Sequence, residues 1–372
     1  MSELNFRRQV DDCQPYIAGE TEAAVLKKYH LESVVKLGSN ENPYGPYTNA
    51  RAALQESLQY LNRYPEDDYV DLIATIAAKN GLTSQNVALG GGAGNVIETT
   101  SRLFLDAGDE VLIATPTYRL YREVSLLMGA SVKEVPVRSD FTADFEAFKA
   151  AITPKTKLIW LCNPNNPTGV VNDPQELTRF IDEVGDHVWI VLDEAYADFI
   201  QAGQRAQLTD KLEQKKLVII RTFSKYYGLA GARVGYILAR QKVISAYDTI
   251  TEPFCVNRSG LFAARASLLL DQTEASEIKE KILQQKQRVV NELAQLEVEA
   301  VPSQANFIFV KLPGKIAAGQ IAAQLMAQGV IVRECGAWGY PQYLRITIGK
   351  AAENQRLITE LKQLLRVKVK EQ

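Results

Sequence analysis

The stretch that decides the fold is Leu217-Val-Ile-Ile-Arg-Thr-Phe-Ser-Lys225-Tyr-Tyr-Gly228. Its apolar start, residues 217–220, has the length and the β-branched content of a buried strand. Lys225 follows on the turn just beyond that strand, and in open α/β sheets ligands bind outside the carboxyl ends of the strands. A partly desolvated lysine at such a position can act as a nucleophile. A solvated surface lysine is the alternative, so the case for Lys225 depends on the residues at neighbouring strand ends.

The composition is typical of a globular protein with two domains. The chain has 372 residues, of which 46% are apolar and 23% are charged, and its formal net charge is −2. This charge argues against binding to nucleic acid or to a membrane surface, because both require a basic face. No apolar run approaches the ~18 residues that cross a bilayer, and residues 1–8 lack the apolar core of a signal peptide. We therefore expect a cytoplasmic protein.

No metal site is expected. Four cysteines and two histidines are scattered along the chain: Cys13, Cys162, Cys255, Cys335, His30 and His187. Neither set has the spacing of a zinc site or of a redox pair.

Strand-like and helix-like segments alternate through the middle of the chain. The first strand lies at the start of the stretch 86–92, and further strand-like runs occur at 110–115, 132–137, 157–162, 189–192, 217–221 and 233–239. This alternation predicts an α/β fold whose large domain has a mostly parallel, seven-stranded sheet covered by helices. From about residue 255 a long helix-like stretch and shorter strands predict a smaller α+β domain. We therefore divide the chain into three parts. Residues 1–45 form an N-terminal segment that packs with the small domain, residues 46–254 form the large domain, and residues 255–372 form the small domain.

A glycine run follows the first of these strands and opens a helix: Leu89-Gly-Gly-Gly-Ala93-Gly94-Asn95. Glycines let backbone N–H groups approach an anion, and the helix N-terminus adds the positive end of its dipole. The run lacks the third glycine of a dinucleotide fingerprint and the lysine of a P-loop, which disfavours a nicotinamide-dependent oxidoreductase. A phosphate cup and a plain tight turn remain as interpretations. Arg233, downstream of Lys225, can bind the same anion through a bidentate contact.

Aromatic and polar residues follow three more strands. Tyr118, after the strand at 110–115, can stack on a flat ligand or pack in the core. The turn Asn163-Pro-Asn-Asn166-Pro-Thr-Gly169 offers amide donors, although turn formation alone also explains it. Asp193 ends an apolar strand, where a carboxylate requires a cationic or hydrogen-bonding partner, and Tyr196 lies three residues further. Together the strand ends predict a site for a flat, phosphorylated ligand beside a nucleophilic lysine.

Four motifs resemble those of pyridoxal 5′-phosphate (PLP) aminotransferases of fold type I: Asn163-Pro-Asn-Asn-Pro-Thr-Gly169, Asp193-Glu-Ala-Tyr196, Ser224-Lys-Tyr-Tyr-Gly-Leu-Ala-Gly-Ala-Arg-Val-Gly-Tyr236 and Arg345-Ile-Thr-Ile-Gly349. The agreement runs from about residue 10 to about residue 365, and the lysine motif is highly specific. Within that superfamily three further stretches resemble histidinol-phosphate aminotransferases and close relatives: Pro15-Tyr-Ile-Ala-Gly19, Ser39-Asn-Glu-Asn-Pro-Tyr-Gly-Pro46 and Arg63-Tyr64-Pro65.

The resemblance implies a role for each motif. Lys225 would bind PLP covalently and then move a proton between the substrate Cα and the cofactor, while Asp193 would pair with the ring nitrogen. Tyr118 would stack on the cofactor ring, and Asn166 and Tyr196 would form hydrogen bonds with its phenolic oxygen. The implied contacts to the phosphate come from Ala93, Gly94, Asn95, Thr222, Ser224 and Arg233. The family often has an acidic residue in the turn that holds Asn95 here. Tyr64 would reach the phosphate of the other subunit's cofactor, which implies a homodimer with shared sites.

Two arginines of the small domain bear on the substrate. The resemblance implies that Arg345 clamps a carboxylate, or shares the phosphate of histidinol phosphate, which has no carboxylate. Arg333 can bind that phosphate or form a structural salt bridge, and Tyr16 and Asn42 are expected to line the same pocket. The segment Arg333-Glu-Cys-Gly-Ala-Trp-Gly339 is unusual for the histidinol-phosphate group.

We therefore expect a PLP-dependent aminotransferase that moves an amino group between L-histidinol phosphate and 2-oxoglutarate or glutamate by a ping-pong mechanism. An aromatic amino-acid aminotransferase, or a decarboxylase or lyase on the same scaffold, is the near alternative. A non-catalytic PLP-binding regulatory module is the alternative from a different class, and the low basic charge and the lack of a DNA-binding domain disfavour it.

Overall fold

The structure is a computed structural model that describes residues 6–15 and 19–369. Its strands are β1 (Val35–Lys36), β2 (Val87–Gly90), β3 (Glu110–Thr115), β4 (Ser131–Pro136), β5 (Thr156–Cys162), β6 (Trp189–Asp193), β7 (Leu217–Thr222), β8 (Gly235–Leu238), β9 (Glu299–Val301), β10 (Phe307–Lys311), β11 (Val330–Ile331), β12 (Arg333–Glu334) and β13 (Tyr343–Thr347). Its α-helices are α1 (Glu22–Tyr29), α2 (Thr48–Ser57), α3 (Glu66–Lys79), α4 (Ala93–Phe104), α5 (Leu120–Leu127), α6 (Phe145–Ala151), α7 (Pro174–Glu183), α8 (Gln241–Ile250), α9 (Arg258–Leu269), α10 (Gln272–Ala294), α11 (Ala318–Ala327) and α12 (Ala351–Val369). Across the described ranges, none of the helices combines the length and the apolar character needed to cross a membrane.

A seven-stranded sheet forms the centre of the larger part of the molecule, in the spatial order β2-β8-β7-β6-β5-β3-β4. The strands from β7 to β4 pair in parallel, whereas β8 pairs antiparallel with both β7 and β2. Six of these seven strands therefore run in one direction. The predicted α/β class with a mostly parallel, seven-stranded sheet is confirmed.

Helices cover both faces of this sheet because successive residues of a strand point to opposite sides. On one face, Leu161 of β5 belongs to a buried cluster with Phe148 of α6 and Phe180 of α7. On the other face, the preceding residue, Trp160, belongs to a separate cluster with Tyr247 of α8. Strands covered on both faces read as continuous apolar runs, which explains why β5, β6 and β7 were recognisable in the sequence.

Helix α9 lies beyond residue 254 and packs against α2 and α3. The hydroxyls of Ser57 and Ser259 are 2.7 Å apart. The carboxylate of Asp271, just after α9, accepts hydrogen bonds from the backbone N–H groups of Asn49 and Ala50 at the start of α2, each at 2.9 Å. This helix therefore contacts the predicted large domain, and the division of the chain at residue 254 stays a prediction.

A smaller antiparallel sheet, in the order β12-β13-β10-β9, forms the centre of the second part of the molecule. Strand β1 pairs in parallel with β11, which brings residues 35–36 of the N-terminal segment against the small domain. Helix α12 packs against α10 and α11. The predicted smaller α+β domain is confirmed.

Candidate active site

A cavity of about 390 Å³ lies at the carboxyl ends of β5, β6 and β7. Its wall contains eleven of the residues predicted from the sequence: Ala93, Gly94, Tyr118, Asn166, Asp193, Tyr196, Thr222, Ser224, Lys225, Arg233 and Arg345. The first ten come from the large domain and Arg345 comes from β13 of the small domain. The structure therefore gathers the predicted nucleophile, carboxylate and phosphate cup around one space.

Lys225 enters this cavity from the turn after β7. Its Nζ donates a hydrogen bond to the carbonyl oxygen of Ser39 at 3.2 Å and lies 5.8 Å from the centre of the Tyr196 ring. Burial by the cavity walls, reinforced by the guanidinium of Arg345, lowers the pKa of Lys225 from 10.5 to about 8. Because only the neutral amine is a nucleophile, this shift makes Lys225 reactive close to neutral pH.

Asp193 ends β6 and is buried, with 3% of its surface exposed. Its Oδ2 accepts a hydrogen bond from the Tyr121 hydroxyl at 2.7 Å, and its Oδ1 accepts one from the backbone N–H of Ala195 at 2.9 Å. Burial raises the pKa of this carboxyl group, and no side chain of the described ranges forms a salt bridge with it. A cationic N–H group of a ligand in the cavity would stabilise the ionised form of Asp193.

The adjacent carboxylate, Glu194, is in a different environment. It is buried between two arginines, with Arg205 at 2.6 Å and Arg221 at 2.7 Å from its Oε2. Burial alone would raise the pKa of Glu194, but the two guanidiniums together lower it. Glu194 is therefore neutralised within the protein, whereas Asp193 lines the cavity.

The predicted phosphate cup forms where β2 leads into α4. Gly92 has a φ of 85°, and the next two residues, the first of α4, line the cavity. A Cβ at Gly92 would overlap the guanidinium of Arg233, so only glycine lets this cation lie against the turn. The hydroxyls of Thr222 and Ser224, 3.0 Å apart, also line the cavity. A helix N-terminus, two hydroxyls and a guanidinium together suit a phosphate group.

The small domain contributes Arg345, which is 7% exposed. Its Nη1 donates to Oδ1 of Asn166 and its Nη2 donates to the carbonyl oxygen of Gly38, each at 2.6 Å. On the same side of the cavity, the Tyr196 hydroxyl accepts a hydrogen bond from the amide of Asn40 at 3.0 Å. Arg345 therefore links the asparagine turn of the large domain to the N-terminal loop.

Two predicted asparagines bond through their side-chain amides to the backbone and are not in the cavity wall. Oδ1 of Asn95 accepts a hydrogen bond from the backbone N–H of Gly91 at 3.0 Å. The amide nitrogen of Asn42 donates to the carbonyl oxygen of Tyr226 at 2.9 Å. The bond of Asn95 lies within its own turn, as is common for short polar side chains, whereas Asn42 and Tyr226 are 184 residues apart in the chain. A contact of either residue with a ligand stays a prediction.

Two other predicted residues of the described ranges lie elsewhere. Tyr64 is 73% exposed and stacks on Phe254, with ring centres 4.9 Å apart. Arg333 lies opposite Arg345 in the ladder between β12 and β13, and it lines a neighbouring pocket of about 200 Å³. Tyr16 lies outside the described residues. The roles assigned to these three residues stay predictions.

Several residues of the cavity wall were not predicted, namely Ser39, Asn40, Glu41, Tyr121 and Cys162. Tyr121 had a signal in its position, because it lies three residues beyond Tyr118, just after the same strand. Their rings meet edge to face with centres 5.5 Å apart. Residues 39–41 belong to a loop whose contact with the cavity is long-range and leaves no local pattern.

These groups fit PLP. Asp193 is a buried carboxylate at the position where a pyridine N–H would satisfy it, and the cup around Gly92 and Arg233 suits the phosphate. Lys225 lines the same cavity as these groups, with a pKa of about 8. The arrangement can bind a flat phosphorylated aldehyde and transfer protons next to it.

Comparison with known proteins agrees with this fit. Residues 32–361 match the family model described as aminotransferase class I and II. The histidinol-phosphate aminotransferase of Moorella thermoacetica is 36% identical over 361 residues, which cover 96% of this chain and 92% of that protein. That of Bacillus licheniformis is 35% identical over 363 residues, which cover 97% and 100%. The crystal structure of histidinol-phosphate aminotransferase from Sinorhizobium meliloti in complex with PLP matches with a TM-score of 0.90 at 27% identity, over 99% of this chain and 98% of that one.

The chain belongs to the class I and II aminotransferases and is a PLP-dependent enzyme. The predictions of the family, of enzymatic activity and of the cofactor are therefore confirmed.

Proposed function

We propose that this enzyme transfers an amino group between L-histidinol phosphate and 2-oxoglutarate or glutamate. The proposal is carried by the pair Arg333 and Arg345, which lie directly opposite each other on β12 and β13. The chain's similarity to relatives named histidinol-phosphate aminotransferase, over nearly its whole length, supports the same substrate.

Two guanidiniums beside one cavity suit a substrate with a strongly anionic group. Arg345 lines the cavity itself, and Arg333 lines the adjoining pocket, which shares Ser39 with it. In this proposal Arg345 binds the carboxylate of glutamate or 2-oxoglutarate, or shares the phosphate of histidinol phosphate, and Arg333 binds that phosphate. Both half-reactions use the same cavity in turn, which gives a ping-pong order.

When bound, PLP supplies an electron-withdrawing ring that stabilises negative charge at the substrate Cα. Lys225 would bind the cofactor and carry the proton that leaves and re-enters at Cα, a task for which its pKa of about 8 is well matched. Asp193 would accept a hydrogen bond from the ring N–H and keep that nitrogen protonated. Asn166 and Tyr196 would bind the phenolic oxygen, and Tyr118 would stack on the ring. The phosphate would be held by Ala93, Gly94, Thr222, Ser224 and Arg233.

A homodimer in which Tyr64 reaches the partner's cofactor is part of the proposal. Support comes from exposed apolar side chains close to Tyr64 in the chain, Leu58, Tyr60, Leu61 and Val70, and from exposed Phe254, which stacks on Tyr64. Exposed apolar groups of this kind are typical of protein–protein contacts. Sedimentation equilibrium should give the mass of two chains, and a single-chain mass at micromolar concentration would contradict this assembly.

We also propose a cytoplasmic location, which cell fractionation tests.

The substrate is tested by comparing kcat/KM for histidinol phosphate with kcat/KM for phenylalanine and tyrosine. We expect histidinol phosphate to be strongly preferred. Preference for the aromatic substrates would favour an aromatic amino-acid aminotransferase, and release of CO₂ would favour a decarboxylase.

Arg333→Ala separates the two interpretations of Arg333. Loss of a charge-assisted hydrogen bond costs about 1.5–3 kcal/mol, so kcat/KM for histidinol phosphate should fall by roughly one to two orders of magnitude, with little change for phenylalanine. Arg288→Ala, which removes an exposed arginine of α10 that bonds to Gln355, is the control and should change neither substrate. An equal loss for both substrates in Arg333→Ala would assign Arg333 a structural role.

A further inference from the structure

The segment between β12 and β13 carries a tryptophan, Trp338, in the stretch that is unusual for the histidinol-phosphate group. A short 3-10 turn, Gly336–Trp338, is closed by hydrogen bonds from the N–H groups of Trp338 and Gly339 to the carbonyl oxygens of Cys335 and Gly336, at 3.1 and 2.9 Å. Gly339 follows with a φ of 84°, a conformation that favours glycine. The backbone therefore holds Trp338 at the tip of this hairpin.

The ring of Trp338 lies beside both arginines of the small domain. Its centre is 5.7 Å from the guanidinium carbon of Arg333 and 5.8 Å from that of Arg345. The two arginines are direct partners in the antiparallel ladder, and like charges at such positions repel each other. An aromatic face attracts a cation at this distance, most strongly when the aromatic group is tryptophan. One indole ring therefore stabilises two neighbouring positive charges.

Trp338 also connects the arginine pair to the large domain. Its Nε1 donates a hydrogen bond to the carbonyl oxygen of Thr117 at 2.8 Å. Thr117 directly precedes Tyr118, which lines the cavity. The same hairpin meets the large domain a second time, where the ring of Phe141 lies 5.6 Å from that of Tyr340. The hairpin is therefore held against the large domain on both sides of Gly339.

We propose that Trp338 is a positioning residue that sets substrate specificity, because it orients Arg333 and Arg345 as a pair and anchors that pair to the loop carrying Tyr118. The ligands that it selects are substrates and inhibitors with a carboxylate or phosphate group within reach of the two guanidiniums. This inference rests on the anion-binding roles proposed above for the two arginines. It adds a residue that is not in the wall of the cavity and acts through the two arginines.

Trp338→Leu tests the role of the ring in the PLP-loaded enzyme. The dissociation constant of a dicarboxylate inhibitor such as maleate, measured by calorimetry, should increase roughly tenfold when both cation–π contacts are lost. The KM values for glutamate and for histidinol phosphate should increase by a similar factor, while kcat and the affinity for PLP stay close to the wild-type values. Trp338→Phe keeps an aromatic ring but loses the N–H group and the larger indole face, so its dissociation constant should increase by a smaller factor, roughly two- to fivefold.

Tyr340→Phe is the matched control, because Tyr340 belongs to the same hairpin and packs against Phe141 without contacting either arginine in the described structure. It should bind maleate as the wild type does. The inference is overturned if Trp338→Leu binds maleate with wild-type affinity, or if kcat falls while that affinity is unchanged. Should Trp338→Leu fail to fold, wild-type maleate affinity in both Trp338→Phe and Trp338→His would overturn it equally.

The maleate measurement also separates this inference from the proposed substrate. If the wild-type enzyme does not convert histidinol phosphate, the proposed substrate is wrong, yet calorimetry with maleate still decides the role of Trp338. If the wild type converts histidinol phosphate and Trp338→Leu loses none of its affinity, the role of Trp338 is wrong and the substrate stands.

Discussion

Adding PLP to the cofactor-free protein at a series of pH values should show that attachment at Lys225 becomes fast well below the pH at which ordinary lysines react. Burial by the cavity walls and the guanidiniums of Arg345 and Arg233 lower the pKa of Lys225 to about 8, while Glu41 and Asp193 act in the opposite direction. Only the neutral amine attacks an aldehyde. The attachment rate should therefore follow the fraction of Lys225 that has lost its proton.

The size of the effect follows from the two pKa values. At pH 7 a pKa of about 8 leaves roughly 9% of the amine neutral, whereas the ordinary value of 10.5 leaves roughly 0.03%. The cavity thus raises the reactive fraction by roughly 300-fold at this pH. The rate should increase about tenfold for each pH unit below pH 7 and become constant above about pH 9.

Stopped-flow absorbance at the visible band of the attached cofactor measures this rate. Nα-acetyl-lysine under the same conditions corrects for changes in PLP itself, and Lys225→Ala should show no attachment in the cavity. A rate that continues to increase tenfold per pH unit up to about pH 10 would mean that the pKa of Lys225 is ordinary, and the account of the cavity would then be wrong. Because the folded pKa is below the unfolded one, the free energy of unfolding of the cofactor-free protein should also increase between about pH 8 and pH 10.5.

Three substitutions test the two neighbouring carboxylates. Asp193→Asn should weaken PLP binding by about 3–5 kcal/mol in a PLP titration, because it leaves the ring N–H without an anionic partner. In calorimetry the cofactor-free variant should unfold at the same temperature as the wild type or higher, since a buried charge without a salt bridge is removed. A lower unfolding temperature of the cofactor-free variant would contradict the role assigned to Asp193. Tyr121→Phe removes the hydroxyl that donates to Asp193 and should weaken PLP binding by about 1.5–3 kcal/mol; unchanged affinity in the same titration would limit Tyr121 to packing. Glu194→Gln should destabilise the fold by about 3–5 kcal/mol at pH 7 by leaving Arg205 and Arg221 without their shared anion. Because the pKa of Glu194 is lowered in the folded state, its contribution to the free energy of unfolding is present above pH 4.5 and is lost as the pH falls. In urea denaturation the difference in free energy of unfolding between wild type and Glu194→Gln should therefore become smaller in acid. A difference that is constant with pH would contradict the ion pair.

The central sheet could be predicted well because its strands are buried on both faces. A strand that packs against helices on both sides must be apolar throughout, so its sequence differs sharply from the helices around it. The run at 110–115 was predicted with the bounds that β3 has in the structure, Glu110–Thr115. The two-residue strands β1 and β11 had no such signal, because their pairing depends on a contact between residues 35–36 and 330–331.

The large-domain residues of the cavity could be predicted because parallel strands present their carboxyl ends at one edge of the sheet. Asp193, Thr222 and Lys225 follow from this rule. The rule does not indicate what else a side chain bonds to, so the hydrogen bond of Asn95 within its own turn and the long-range bond of Asn42 to Tyr226 became visible only in the structure. The loop at 39–41 is part of the motif Ser39–Pro46, but its place in the cavity wall depends on long-range packing.

A lowered lysine pKa alone does not identify this site. Burial also lowers the pKa of Lys286, in α10, to about 8. Its Nζ donates to the carbonyl oxygens of Ser303 and Ala305 at 2.6 and 3.0 Å, and it is not in the wall of the cavity that holds Asp193. Location next to the carboxylate and the phosphate cup, and not basicity, distinguishes Lys225 from Lys286.

Borohydride reduction of the PLP-loaded enzyme, followed by proteolysis and mass spectrometry, tests the central claim most directly. Reduction makes the covalent link between cofactor and lysine permanent, so the peptide that carries the added mass identifies the lysine. The account predicts that this peptide contains Lys225 and that the visible absorbance disappears in step with labelling. Stoichiometric label on Lys286, or on any other lysine while Lys225 stays unmodified, would contradict it.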